Sequence, residues 1–184
     1  YRANTSVPRS FERWGEVVET LVRHVVGRYG IDHVAQWYFE VWNEPDIAFW
    51  AGTQEEYFAL YDHAAMAVKR VSTRLRVGGP ATSKCAWIRE FISHVQAGSA
   101  ITNAAPAPCD FISTHAYPSD LAFLDGAEGD VPLQPSTVMY ELFSEVRRQM
   151  NASSLSALPL IMGEWNSSAG PYAENHDEQN NAAF

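Results

Sequence analysis

Apolar residues recur at steps of three and four through Phe11, Trp14, Val18, Leu21, Val25 and Tyr29, and Gly30 follows. That is the stripe of an amphipathic helix with a glycine at its C-terminal stop. The period then changes. Trp37–Trp42 is short, aromatic and nearly continuous in its hydrophobicity, the pattern of a parallel strand covered on both faces. Asn43-Glu44-Pro45 ends it, and the proline predicts extended backbone for Glu44. Thr53-Gln54-Glu55-Glu56 is a capping box, and Tyr57, Leu60, Tyr61, Ala64, Ala65, Val68 and Val71 trace the apolar face of the helix it opens. Leu75–Gly79 predicts a second strand, Trp87–Val95 a helix, Phe111–His115 a third strand, Val138–Val146 a helix and Leu158–Gly163 a fourth strand.

Strand and helix therefore alternate, with strands starting near positions 37, 75, 110 and 158. The intervals of 38, 35 and 48 residues suit βα units, the longest leaving a surface loop at Pro118–Pro135. Such alternation demands a parallel sheet with right-handed crossovers, either an open doubly wound sheet or a closed barrel. Gly78-Gly79 lacks the third glycine of a dinucleotide loop, and no GK[ST] follows, so nucleotide binding loses support. Polar chemistry gathers instead at strand C-terminal ends, at Asn43 and Glu44, His115 and Tyr117, Glu164 and Asn166. Barrel enzymes build their sites on that rim, which favours an α/β fold of the (β/α)8 TIM-barrel type, incomplete here at about four βα units in one domain over residues 1–184.

Composition narrows the chemistry. The 184 residues are 46% hydrophobic and 19% charged, and 13 Lys+Arg against 22 Asp+Glu give a net charge of -9. An acidic globular chain repels phosphate, so nucleic acid is not an expected partner. No apolar run approaches the ~20 residues of a membrane helix, so no membrane partner is expected either. The cysteines, Cys85 and Cys109, lack CxxC spacing and read as two reduced thiols at opposite ends of a barrel strand, roughly 20 Å apart. His24, His33, His63, His94 and His176 read as solvated, as do Asp46, Asp120 and the acidic stretch 174–178; Trp14 and Trp87 read as packing residues.

Two glutamates stand apart. Glu44 follows the aromatic strand, and Glu164 ends the fourth strand beside Trp165, so a barrel makes them face each other across its mouth. Two opposed carboxyls are the minimum apparatus for hydrolysing a glycoside, one donating a proton to the leaving oxygen and one attacking the anomeric carbon. Trp42, Trp50 and Trp165 lie close in sequence to the pair and suit a sugar's apolar faces. No metal or other cofactor is implied, because acid/base and nucleophile suffice. Strict alternation places Glu40, Trp42 and Glu44 on one strand face and Asn43 on the other, so both Asn43 and Glu44 reach a sugar only if the strand end bulges or twists. Glu40 then faces the barrel interior or needs a partner.

WYFEVWNEPD at 37–46, with FW at 49–50, resembles the acid/base strand of glycoside hydrolase family 39, the β-xylosidase and α-L-iduronidase family. LRVGGPA at 75–81, DFISTHAYPSD at 110–120 and LPLIMGEWNSS at 158–168 agree with that family in order and spacing, as does RYGID at 28–32. The resemblance covers essentially the whole chain and corresponds to the fourth through seventh strands of an eight-stranded barrel. It implies that Glu44 is the general acid/base and Glu164 the nucleophile of a retaining β-xylosidase-type exo-hydrolase. It also implies that Asn43 bonds the sugar 2-hydroxyl and that His115 and Tyr117 line the pocket; Trp165 and Trp50, close to the glutamates in sequence, are expected as further substrate contacts. One departure is the residue after the nucleophile, where xylosidase members tend to carry tyrosine and this chain has Trp165. The implied partner is an oligosaccharide or glycoside. The alternatives are a catalytically silent structural or carbohydrate-binding piece, or a hydrolase for another glycoside such as an α-L-iduronide. An iduronide calls for cations near the glutamates, where the chain offers only Lys84 and Arg89 after the second strand. The chain opens at Tyr1 with no signal-peptide pattern and closes without a helix stop, so both ends read as cut and no compartment is assigned. Open barrel edges predict marginal stability or self-association.

Overall fold

The computed structural model describes residues 5–118 and 137–166. Four strands, β1 (Tyr38–Glu40), β2 (Arg76–Thr82), β3 (Phe111–His115) and β4 (Leu160–Glu164), form one sheet in the order β1-β2-β3-β4, and every neighbouring pair is parallel. Helices lie between them: α1 (Phe11–Tyr29) and the short α2 (Ile31–Val34) precede β1, α3 (Gln54–Val71) joins β1 to β2, a 3-10 turn at Ser83–Cys85 and α4 (Ile88–Ala97) join β2 to β3, and α5 (Thr137–Asn151) precedes β4. Sequential, parallel strands with helices in each crossover make this an incomplete (β/α)8 barrel and exclude the doubly wound alternative, whose strand order reverses at a switch point. Most of the predicted loop Pro118–Pro135, with Asp120, lies outside the described residues, as do His176 and 174–178.

Local chemistry explains the elements. Ser10 caps α1 by accepting from the Arg13 N–H, and Gly30 ends it at φ 82°. Thr53 and Glu56 form the predicted capping box at the start of α3, each side chain accepting the other's backbone N–H. The core lies between sheet and helices, where Tyr57, Leu60, Tyr61, Leu75, Phe91 and Ile112 are fully buried. The α1 stripe is rotated from the predicted one: Val22 is buried while Leu21 and Tyr29 are exposed. Helix α1 packs chiefly on α3, and that contact selects a face which includes Gly15 and Val22.

At the N-terminal end of the strands, Asp110 accepts from the Val77 N–H (2.8 Å) and pairs with Lys69 (2.8 Å), whose ammonium also donates to the Leu75 carbonyl (2.6 Å). This polar lock sits at the end of the barrel where residues serve stability. On the helical side, Asp62 is fully buried and accepts from the Ser99 hydroxyl while bonding His94 Nε2 at 2.9 Å. His94 also stacks on Phe58 at 4.6 Å, so it is a structural residue tying α3 to α4 and not the solvated histidine its position suggested. Cys85 and Cys109 are not joined in a disulfide. Burial pushes the Cys109 thiol up to about 11, which leaves it protonated and inert at neutral pH.

Candidate active site

The site forms where the C-terminal ends of β1, β3 and β4 meet. Strand β1 stops at Glu40, two residues short of its predicted end, because Trp42 turns to φ 71°. That turn breaks the alternation: Val41 stays in the core, and Trp42 also joins the helical side, edge-on to Trp14 (6.1 Å) and Trp50 (5.2 Å). Glu44 itself adopts φ 44°, a left-handed conformation and not the extended one its proline predicts. The surroundings over-determine it. Its N–H donates to the Ala81 carbonyl at 2.8 Å, and its carboxylate, on a side chain 11% exposed, bonds His115. Two residues with positive φ thus turn Glu44 inward, as the twist required of this strand end demands. Asn43 is exposed beside it.

His115 is 1% exposed at the end of β3. Its Nδ1 lies 3.0 Å from Glu44 Oε1 and 3.7 Å from Glu164 Oε2. The Tyr117 hydroxyl donates to Glu164 Oε2 at 2.9 Å. Facing atoms of Glu44, His115 and Glu164 all lie within 4.8 Å of one another. The sequence therefore predicted four residues that the fold brings together: Glu44, Glu164, His115 and Tyr117. A register irregularity between Thr114 and His115 sets His115 opposite Glu164 instead of Gly163. Burial alone pushes the His115 imidazolium down, but the hydrogen bond to Glu44 and the charges of Glu164, Glu44 and Glu40 outweigh it and raise the group above the usual imidazole range. Trp165 stands 69% exposed next to Glu164.

Trp50 is elsewhere. It is 5% exposed, its indole N–H donates to the Thr53 carbonyl at 2.9 Å, and its ring packs edge-on to Tyr57. A buried indole with its one donor already used supports the loop after β1 from behind and does not face a substrate.

Two supports were not legible. Asp46, expected to be solvated, accepts from the Ser83 N–H (2.8 Å) and the Ser83 hydroxyl (2.5 Å), locking the loop that carries Glu44 to the turn after β2. Burial raises its carboxyl above the usual aspartate range against the pull of those bonds. The second is Tyr57 of α3, whose hydroxyl lies 2.9 Å from the Pro80 carbonyl and 3.0 Å from the Val41 carbonyl, one proton shared between the ends of β2 and β1. Only its place in the apolar stripe was visible beforehand. Asp46→Ala, which strands the Ser83 donors, is expected to cost about 1–3 kcal/mol in urea unfolding. Asp46→Asn, which keeps one acceptor, is expected to cost less.

The profile of Glycosyl hydrolases family 39 matches residues 1–184. This chain belongs to that family. Within family 39, it is 42% identical over 186 residues to a β-xylosidase of Caldicellulosiruptor saccharolyticus, covering all of this chain and 36% of that protein. It is 33% identical over 111 residues to the α-L-iduronidase of Canis lupus familiaris, covering 55% of this chain and 17% of that one. Among solved structures, a family 39 β-xylosidase of Caulobacter crescentus superposes with a TM-score of 0.76 at 37% identity, covering 98% of this chain and 35% of that chain. The chain thus spans about a third of the length of the β-xylosidases it matches.

Proposed function

We propose that these residues form the catalytic pair of a retaining glycoside hydrolase acting on β-xylosides, with Glu44 as general acid/base and Glu164 as nucleophile. The observation that carries this reading is the approach of the two carboxylates, whose facing oxygens lie within 4.8 Å. Retaining enzymes hold their carboxyl groups about 5–5.5 Å apart for direct attack on the anomeric carbon, whereas inverting enzymes leave about 6.5–9.5 Å for a water. In the first step, Glu164 attacks the anomeric carbon as Glu44 gives its proton to the departing oxygen, and a glycosyl–Glu164 ester forms. In the second, Glu44 takes a proton from water, which attacks the same carbon and releases Glu164.

The neighbours serve those steps. The Tyr117 hydroxyl on Oε2 holds the Glu164 carboxylate in one rotamer and leaves Oε1 to attack. His115 sits between the two carboxylates and fixes Glu44 through Oε1, so that Oε2 carries the transferable proton. Asn43 is read as the partner of the sugar 2-hydroxyl, and exposed Trp165 as a wall beside the anomeric carbon.

Similarity to β-xylosidases over the whole chain supports a xyloside over an iduronide, and so does the anionic surround of the site, which repels an iduronide's own carboxylate. The test is hydrolysis of an aryl β-D-xyloside beside an aryl α-L-iduronide, with the first-formed sugar anomer followed by NMR. Release of β-xylose is expected. Initial α-xylose would overturn the retaining assignment, and preferential cleavage of the iduronide would overturn the substrate.

A further inference from the structure

Glu40 is a carboxylate that the two-step mechanism above does not use. It ends β1 and, with Trp42 turned outward, shares the inward direction of Glu44. Its position becomes clear from Gly163, the residue before the nucleophile. A methyl group on Gly163 would lie 3.1 Å from His115 Nε2 and 3.5 Å from Glu40 Oε2. Ring and carboxylate therefore flank the space that the glycine leaves empty. His115 presents Nδ1 to Glu44 and Glu164, and its opposite nitrogen faces the gap toward Glu40.

We propose that Glu40 is a positioning residue of this site, a third carboxylate that acts across the Gly163 gap to hold His115 as the imidazolium. The inference rests on the glycosidase reading of Glu44 and Glu164 and adds to it. A neutral imidazole has one N–H, and the tautomer that presents a bare Nδ1 to Glu44 accepts the acid proton at Oε1, away from a leaving group. An imidazolium must donate at Nδ1, so Glu44 Oε1 becomes an acceptor and Oε2 the proton carrier. It also places a positive charge 3.7 Å from Glu164 Oε2 and thereby offsets the repulsion between the two carboxylates.

Among the described residues, the charged groups acting on the ring are of one sign. Glu40 and Glu44 face it from β1 and its extension, and Glu164 from β4, with the Tyr117 hydroxyl on Glu164; the Cys85 thiol lies 3.9 Å from the His115 backbone carbonyl. Burial of the ring opposes its charge, and the carboxylates favour it, Glu44 through its hydrogen bond, then Glu164, and exposed Glu40 least. Glycine at 163 has a physical reason in this arrangement, because a Cβ there would crowd the Nε2–Cδ2 edge of the ring at 3.1–3.2 Å and fill the space between it and Glu40.

The test compares Glu40→Gln, which keeps the shape and removes the charge, with Glu40→Asp, which keeps the charge. The His115 ring is titrated by NMR with 15N-labelled histidine and assigned against His115→Gln, folding being checked by near-ultraviolet circular dichroism. In E40Q the His115 midpoint is expected to fall by about half a pH unit, the size of one solvent-exposed charge beyond ion-pair distance, and the alkaline limb of kcat/KM on an aryl β-D-xyloside to move by the same amount. E40D is expected to restore most of both. An unshifted His115 midpoint in folded E40Q would overturn the proposal, as would equal loss of activity in E40Q and E40D. If the unsubstituted protein hydrolyses no glycoside, the glycosidase reading fails by itself, and the ring titration still decides the role of Glu40.

Discussion

Replacement of Glu164 by alanine is expected to abolish turnover of an aryl β-D-xyloside, with a loss on the order of 10⁴-fold or more in kcat, because the covalent route closes altogether. Near-ultraviolet circular dichroism of the variant should be unchanged. Glu164 is exposed at the last turn of β4 and bonds Tyr117, so its removal empties no cavity in the core. The partner substitution has a different signature. Glu44→Ala is expected to retain glycosylation of Glu164 by substrates whose leaving group needs no proton, such as a dinitrophenyl xyloside, and to stall at the ester. Added azide, an anion that needs no general base, should then release β-xylosyl azide. Loss of activity in both variants without azide rescue would exchange or remove these assignments. Retained turnover in Glu164→Ala would exclude a glycosyl–Glu164 intermediate.

The second large effect concerns the sheet. A Cβ at Gly78 would lie 2.3 Å from the Phe111 carbonyl oxygen and 2.8 Å from the Phe111 ring. Strands β2 and β3 pair through Gly78↔Phe111, so the obstacle is the backbone of the neighbouring strand, which no rotamer change relieves. Gly78→Ala is expected to cost about 3 kcal/mol or more, at or above the usual range for overpacking, and to separate β2 from β3 at the start of their register. Urea unfolding followed by far-ultraviolet circular dichroism measures it. Gly27, with nothing within 4 Å of its Cβ position, is the control. Gly27→Ala in the exposed last turns of α1 should stabilise by up to about 1 kcal/mol. Equal effects at the two glycines would show that the crowding at Gly78 is absent in solution.

Much of the architecture is legible one residue at a time. The alternating periods of α1, β1, α3 and β2 need only local rules, since a helix stripe, a capping box and a short run of apolar residues are complete within a dozen positions. The observed strands begin at 38, 76, 111 and 160, within two residues of their predicted starts. Glu44, His115, Tyr117 and Glu164 were legible for a related reason. Each follows or ends a strand, and a parallel barrel brings all strand C-termini to one rim, so topology alone converts sequence position into proximity.

What the local rules missed depends on contacts between distant segments. Proline at 45 argues for an extended Glu44, but the Ala81 carbonyl and His115, 37 and 71 positions away, hold it left-handed. Asp46 looks like any loop aspartate until Ser83 donates to it twice, and His94 like any helix histidine until Asp62 and Phe58 enclose it. Trp50 lies six residues from Glu44 in the chain, yet the turn between them sends its ring behind the strand. Gly163 carried a usable signal, because glycine inside a strand marks a close approach, but not the identity of what approaches. Order, period and rim position were thus determined by the chain itself, since each is a property of consecutive residues. The orientation of Glu44, the burial of Trp50 and the placing of Glu40 across the Gly163 gap from His115 were decided only by tertiary structure, because backbone direction at a strand end follows the hydrogen bonds it finds on neighbouring strands.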